Sequence, residues 1–212
     1  MIAEPGVALT DFVLSMESLV VVVLLLRKDA ADRRIRNRFV VFFAALGIAA
    51  LAGGLSHGFL HDRYPVPDQV AWSISLLAIG LVGLAGWYIC AWYLERPVPA
   101  RRLVQATSLL FVLYCFVVVF YNNSFYMAIL FYLPATLFLL LLLVTRYVKQ
   151  KDSRVLPGIA GLLLALLAAA VQQSDLVIHP VWLNQNVLYH LFEFVAILLL
   201  YVFAYRVSQH RE

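Results

Sequence analysis

Five acidic or histidine side chains interrupt the long apolar segments of this chain, and they carry most of the chemistry that the sequence offers. They are Asp11, Glu17, His57, His190 and Glu193. An ionisable side chain at membrane depth costs at least about 2.5 kcal/mol on insertion scales unless it faces protein or water. We therefore expect these side chains to face a polar interior rather than lipid.

The apolar segments predict the elements that carry these side chains. Of the 212 residues, 64% are apolar and 13% are charged, with a mean hydropathy of +0.89, whereas soluble proteins carry about 25% charged residues. Seven runs approach or exceed the roughly 20 residues that span hydrocarbon as a helix. We predict an all-α, polytopic membrane protein, a seven-transmembrane-helix bundle in one domain, with spans at 7–26, 39–60, 70–94, 103–121, 125–144, 155–171 and 187–207.

The positive charges predict the orientation of this bundle. Of the sixteen Lys and Arg, all except Arg63 fall in the loops and tail on one side. By the positive-inside rule that side is cytoplasmic, which places the N-terminus outside and the C-terminus in the cytoplasm. We expect a multi-pass protein of the inner, cytoplasmic membrane whose partners are membrane lipids. The net charge of +4 follows the topology, so no nucleic-acid partner is predicted.

Helices two and seven bring polar side chains to the outer half of the membrane. His57 lies about one turn below the outer end of helix two, and His61 follows four residues later on the same face. His190 and Glu193 lie one to two turns below the outer end of helix seven. We expect an outward-facing pocket of imidazoles and carboxylates. The alternative is that these groups form interhelical hydrogen bonds that hold the bundle together.

Two cofactors suit such a pocket. Neutral imidazoles with a carboxylate can bind zinc, which in catalytic sites keeps one position open for water. The bound ion lowers the pKa of that water to about 7 and polarises an ester or amide carbonyl. Haem is the alternative, because His57 and His190 on facing helices could act as axial ligands. Haem would give strong visible absorbance, and zinc would not.

The residues around His57 resemble, at a distance, a motif of the CREST superfamily of seven-helix membrane hydrolases, which includes the alkaline ceramidases and the adiponectin-receptor-like proteins. In that superfamily Ser-x-x-x-His late in helix two, an Asp about eleven residues later and His-x-x-x-His on helix seven build a zinc site for lipid amide cleavage. Here Asp68 follows His57 at that spacing, and Asn186 and His190 lie where the helix-seven pair would be. Gly53 stands at the serine position.

The resemblance implies a set of zinc ligands. His57 and His190 match ligand positions, and Asn186 stands where the superfamily has a further zinc-binding histidine. A second register aligns His57 with the serine and His61 with the histidine, but it loses the aspartate. The stretch around His57 also looks like a group of bacterial seven-helix proteins of unknown activity.

Three carboxylates complete the expected machinery. Asp68 or Glu193 would act as general base or fill the ligand set, and Glu17 would support the site from a second layer. The function expected from this reading is hydrolysis of a lipid or another amphiphile at an amide or ester bond. The competing expectation is a membrane sensor or transporter that uses the same pocket without catalysis. In a proton-coupled transporter, Glu17 and Glu193 would carry the protons.

Overall fold

The computed structural model describes residues 2–61, 63–94, 96–174 and 176–209, and these residues form helices and no β-strand. All seven long helices are apolar enough to cross a membrane, with the 3₁₀ turn Ser153–Val155 extending the sixth. The predicted all-α, seven-helix architecture is therefore confirmed. Asp62 and Asp175, in two of the predicted outer loops, lie outside the described residues. The helices are α1 Pro5–Arg27, α2 Arg33–Leu55, α3 Pro65–Tyr93, α4 Pro97–Phe120, α5 Phe125–Gln150, α6 Leu156–Gln172 and α7 Gln185–Ser208.

Several helices extend beyond their apolar runs because local sequence signals continue them. The Asp32 side chain caps α2 by accepting hydrogen bonds from the backbone amides of Arg34 and Ile35, at 2.7 and 3.2 Å. This cap draws part of the predicted charged loop into the helix. Pro65 begins α3 at the first helical position, where its missing amide proton costs nothing. Hydropathy therefore located each helix but underestimated the length of most.

The bundle has two chemically different ends. We call the end where α1 begins the pocket end and the opposite end the basic end. Among the described residues, Arg63 is the one Lys or Arg at the pocket end. The most extensive packing joins α2 to α3, α6 to α7 and α1 to α2, whereas α4 packs mainly on α3 and leaves most of its surface exposed. The main core includes Phe43, Leu143 and Phe203.

Glycines let α1 and α2 approach each other closely near the pocket end. A Cβ added at Gly53 would lie 3.4 Å from both carboxylate oxygens of Asp11, and one at Gly54 would lie 3.0 Å from the Phe12 ring. Small residues at helix contacts allow such close backbone approach in membrane proteins. Gly53 and Gly54 of α2 therefore lie directly against the Asp11 side chain of α1.

A short π-helical turn, Ser56–Leu60, continues α2 at the pocket end. Such turns shift the hydrogen-bond pattern and occur often at functional sites. Here the turn leaves backbone carbonyls that accept hydrogen bonds from amides of the N-terminal segment. The amide of Ala3 donates to the carbonyl of Gly58 at 3.2 Å, and the amide of Glu4 donates to the carbonyl of His57 at 3.0 Å.

Candidate functional site

A cavity of about 240 Å³ opens at the pocket end between α1, α2, α3 and α7. Four of the five ionisable side chains singled out from the sequence line it, and Glu17 does not. No Lys or Arg of the described chain lines the cavity. Its walls therefore combine two carboxyl groups and two imidazoles with neutral polar and aromatic side chains. The polar and aromatic lining comprises Asp11, His57, Trp72, Ser75, Phe125, Gln172, Gln173, Asn186, Tyr189, His190 and Glu193.

His190 connects α7 to α1 through both ring nitrogens. Its Nε2 lies 3.3 Å from Oδ1 of Asp11, and its Nδ1 lies 2.8 Å from Oγ1 of Thr10. Asp11 is only 5% exposed. Its other oxygen, Oδ2, is buried and has no hydrogen-bond partner among the described residues. The carboxylate therefore keeps an acceptor position beside the cavity that the chain itself does not fill.

The order Thr10, His190, Asp11 has the connectivity of a nucleophile, a base and an orienting carboxylate. The Thr10 hydroxyl, however, also lies within hydrogen-bond distance of the carbonyls of Gly6 and Val7, at 3.0 and 2.9 Å. Back-bonding of this kind is ordinary for threonine inside a helix. Thr10 is also not one of the side chains that line the cavity. The arrangement therefore orients His190 and does not present a hydroxyl to a ligand.

His57 pairs with a residue at the very start of the chain. Its Nδ1 lies 3.0 Å from Oε2 of Glu4, beside the backbone bonds that join the N-terminal segment to the π-turn. The hydrogen bond from His57 lowers the pKa of the Glu4 carboxyl from its usual value. The His57 ring also meets the Trp72 ring edge to face, with centroids 6.1 Å apart. These contacts hold the imidazole at the mouth of the cavity.

Glu193 lies deeper and is oriented by its own helix. The Tyr189 hydroxyl, one turn earlier on α7, donates to Oε1 of Glu193 at 2.5 Å. Glu17 is buried, as the sequence predicted. Both of its carboxylate oxygens lack a hydrogen-bond partner in the described part of the chain. Glu17 does not line the cavity that Asp11 and Glu193 share.

Asp68 and His61 belong to a neighbouring outer cavity of about 470 Å³. Asp68 accepts a hydrogen bond from the Ser56 hydroxyl, and its Oδ2 lies 3.3 Å from Nδ1 of His61. His57 and Trp72 line both this outer cavity and the polar cavity of about 240 Å³. The structure therefore brings Asp68 near His57, although the contacts of Asp68 are made with Ser56 and His61.

The expected metal ligands are divided between two adjoining cavities, with His57, His190 and Asn186 in the polar cavity and His61 in the outer one. No group of three His, Cys, Asp or Glu side chains within the described ranges is placed to hold a metal ion. His190 already has Thr10 and Asp11 at its two nitrogens, and Nδ1 of His57 contacts Glu4. Asn186 lines the cavity with His190. This arrangement does not fit an assembled zinc site, and zinc and haem stay predictions.

A small apolar cavity of about 100 Å³ adjoins the polar one toward the middle of the bundle. Leu46 of α2 and Glu193 of α7 line both cavities. The remaining walls come from α2, α3, α5, α6 and α7 and include Gly86, Ala165 and Leu200. The site as a whole thus has a polar compartment at the pocket end and an apolar compartment behind it.

Two partners in this site were not predicted from the sequence. Glu4 lies before the first predicted span, and no spacing in the sequence links it to His57. Tyr189 could have been found, because it lies four residues before Glu193 and such pairs meet on one helix face.

The chain was also compared with known proteins. No curated protein matches it, and no solved structure does. Residues 7–209 match a family described as a family of unknown function, DUF6962. This match includes every residue that lines the polar cavity. The chain therefore belongs to the DUF6962 family.

Proposed function

We propose that this chain is a multi-pass protein of the cytoplasmic membrane that binds a small cationic amphiphile in its outward-facing cavity. The ligand would place an amino or ammonium group in the polar compartment and an alkyl chain in the apolar one. The composition of the cavity walls is the main support for this proposal. Carboxyl groups and aromatic rings surround a polar cavity that no Lys or Arg lines, and an apolar cavity adjoins it.

The orientation follows from the charges at the two ends. The pocket end holds few positive charges and the basic end holds many, so the positive-inside rule puts the pocket end outside. The N-terminus is then outside and the C-terminus in the cytoplasm. A ligand would enter the cavity from the outer medium or from the outer leaflet.

A cationic head fits the polar compartment for two reasons. The Oδ2 atom of Asp11 is buried without a partner, and a donor from the ligand would satisfy it. Trp72, Phe125 and Tyr189 also line the cavity, with the first two ring centroids 6.3 Å apart. Aromatic rings attract cations through their negative faces, by about 0.5 to 2 kcal/mol depending on desolvation. Glu193 would add a second carboxyl at the base of the compartment.

An alkyl tail fits the inner compartment. Leu46 and Glu193 mark the boundary between the two compartments, and the walls beyond them are mostly apolar. Each methylene moved from water into an apolar site contributes about 0.8 kcal/mol, which is about fourfold in affinity. A short chain would therefore add affinity until the small cavity is full.

Binding has more support than hydrolysis. The hydrolase implied by the CREST resemblance needs a metal with at least three protein ligands, whereas His57 contacts Glu4, and His190 contacts Thr10 and Asp11. The same contacts hold the imidazoles in fixed positions, which suits recognition of a ligand. A sensor would bind its ligand at such a site, and so would a transporter.

A chain-length series tests this proposal. Purified protein in nanodiscs is titrated with primary alkylammonium ions from ethyl to hexyl, which stay in the aqueous phase and carry N–H donors. The fluorescence of Trp72 reports binding, and the Trp72→Phe variant identifies its signal among the four tryptophans. We expect affinity to rise about fourfold per methylene and then level off. Equal affinity for all chain lengths, or no change in Trp72 fluorescence, would overturn the proposal.

A matched pair of variants assigns the tail to the inner cavity. Ala165→Leu fills this cavity, whereas Ala160→Leu adds the same volume to an exposed position on the same helix. The first variant should abolish the dependence on chain length and retain binding of the ethyl compound. The second should behave like the wild type. Identical behaviour of the two variants would place the tail elsewhere.

A further inference from the structure

A separate pocket lies at the basic end, where α3 ends, α4 begins and α5 ends. Its volume is about 300 Å³, and three cationic side chains line it, namely Arg96, Arg146 and Lys149. It shares no residue with the polar and apolar cavities at the other end. Its role is therefore independent of the proposed amphiphile site.

One of the three cations is fixed by the fold. Nε of Arg146 donates to Oδ2 of Asp152 at 3.1 Å, and its guanidinium lies 5.4 Å from the centroid of the Tyr93 ring. Asp152 also accepts from Nε of Arg154 at 2.7 Å, so a single carboxylate serves two arginines. Among the residues that the structure describes here, Arg96, Arg146, Lys149 and Arg154 are cationic and Asp152 is the one carboxylate, so this part of the cluster has more positive than negative side chains.

The other two cations add to this excess. Arg96 and Lys149 are exposed and form no ion pair with any residue that the structure describes. Arg96 also precedes the first turn of α4, which contains no acidic residue and no side-chain cap. The positive end of that helix dipole adds to the field of the two side chains. The pocket is thus suited to an anion.

The surroundings point to an anion that belongs to a lipid. Leu94, Pro99 and Leu142 form the apolar part of the pocket wall. The pocket lies where three apolar helices end, which is the depth of lipid headgroups in a membrane. Basic pockets between transmembrane helices bind the headgroups of anionic lipids in this way. We propose that Arg96, Arg146 and Lys149 bind the phosphate group of an anionic phospholipid.

Lipid titration tests this site. Delipidated protein is titrated with phosphatidylglycerol or phosphatidylcholine, and bound lipid is counted by native mass spectrometry. The wild type should bind phosphatidylglycerol in preference to phosphatidylcholine. In the double variant Arg96→Gln, Lys149→Gln, the affinity for phosphatidylglycerol should fall about thirtyfold, because each cation near an anionic surface contributes about 1 kcal/mol.

A charge-matched control distinguishes a site from general attraction. Lys28→Gln, Arg33→Gln removes two exposed cations from the same end, outside the pocket. This double variant should bind the lipid as the wild type does. Equal losses in both double variants would show diffuse electrostatics and would overturn the proposal.

A second arm identifies the source of the phosphate. Inorganic phosphate is added to the wild type in place of lipid, and thermal stability is measured. We expect little stabilisation, because free phosphate lacks the acyl chains that contact the apolar wall. Stabilisation by inorganic phosphate without selective binding of phosphatidylglycerol would contradict a lipid site.

Discussion

Replacing Asp11 with asparagine removes the carboxyl group that would carry a negative charge opposite a bound cation, and it changes little else. Asparagine has almost the same shape, so the close packing against Gly53 is kept. Its side-chain oxygen can still accept a hydrogen bond from Nε2 of His190, which lies 3.3 Å from Oδ1 in the native site. The variant therefore separates the charge of Asp11 from its structural role.

The expected size of the effect follows from burial. Asp11 is 5% exposed and its Oδ2 has no partner among the described residues, so a bound cation would be its main compensation. Hydrogen bonds to charged groups contribute about 1.5 to 3 kcal/mol. We expect the affinity for hexylammonium, whose N–H groups can donate to this carboxylate, to fall about 10- to 100-fold. Stability should change by less than about 1 kcal/mol, because removing a buried charge offsets the weaker contact to His190.

The assay is the Trp72 fluorescence titration in nanodiscs, with thermal unfolding as a check on the fold. Asp29→Asn is the matched control, because it makes the same change of charge at an exposed position at the basic end. Unchanged affinity in Asp11→Asn would refute the assignment of the head group to this carboxylate. An equal loss in Asp29→Asn would show that only the overall charge matters.

Three further predictions concern stability and metal content. Hydrogen bonds from neighbouring arginines lower the pKa of Asp152 to about 2, so its stabilising contribution is complete above about pH 4 and is lost as the pH falls towards 2. Asp152→Asn should therefore lower the free energy of unfolding by about 1 to 2 kcal/mol at pH 7. This estimate allows for solvent screening, because the partner Arg154 is 34% exposed. The loss should be smaller at pH 3, and thermal unfolding at both pH values measures the difference. Gly80→Ala should cost about 1 to 3 kcal/mol because its Cβ would lie 2.2 Å from the Tyr114 ring, whereas Gly86→Ala, with its nearest neighbour at 3.5 Å, should be neutral in the same measurement. The zinc hypothesis predicts about one zinc ion per chain by elemental analysis and its loss in His57→Ala, and the haem alternative predicts a visible absorbance band.

The membrane helices and the set of pocket side chains could be predicted because both depend on local sequence. An apolar run of sufficient length forms a helix in a membrane whatever it packs against. The depth of a residue in the membrane follows from its position along the helix. This estimate predicted that His57, His190 and Glu193 lie at about the same depth. The cavity that these three residues line agrees with that expectation.

The pairing of these side chains could not be predicted, because it depends on how helices are rotated against one another. The CREST resemblance implied a common site for His57 and Asp68, and both line the outer cavity. Their contacts differ, because the π-turn after α2 directs His57 toward Glu4, whereas Asp68 contacts Ser56 and His61. A π-turn has no reliable sequence signal. The contact between Asp11 and His190 likewise joins the first and last helices, and no local pattern encodes it.

The proposed role of the outward-facing cavity is to select a cation with an apolar tail. The most direct test compares hexylammonium with hexyl sulfate, which has the same chain and the opposite charge, in equilibrium titrations of the wild-type protein in nanodiscs. We predict saturable binding of the ammonium compound at one site per chain and at least tenfold weaker binding of the sulfate. Equal binding of the two compounds, or tighter binding of the sulfate, would contradict the proposed selection of a cation.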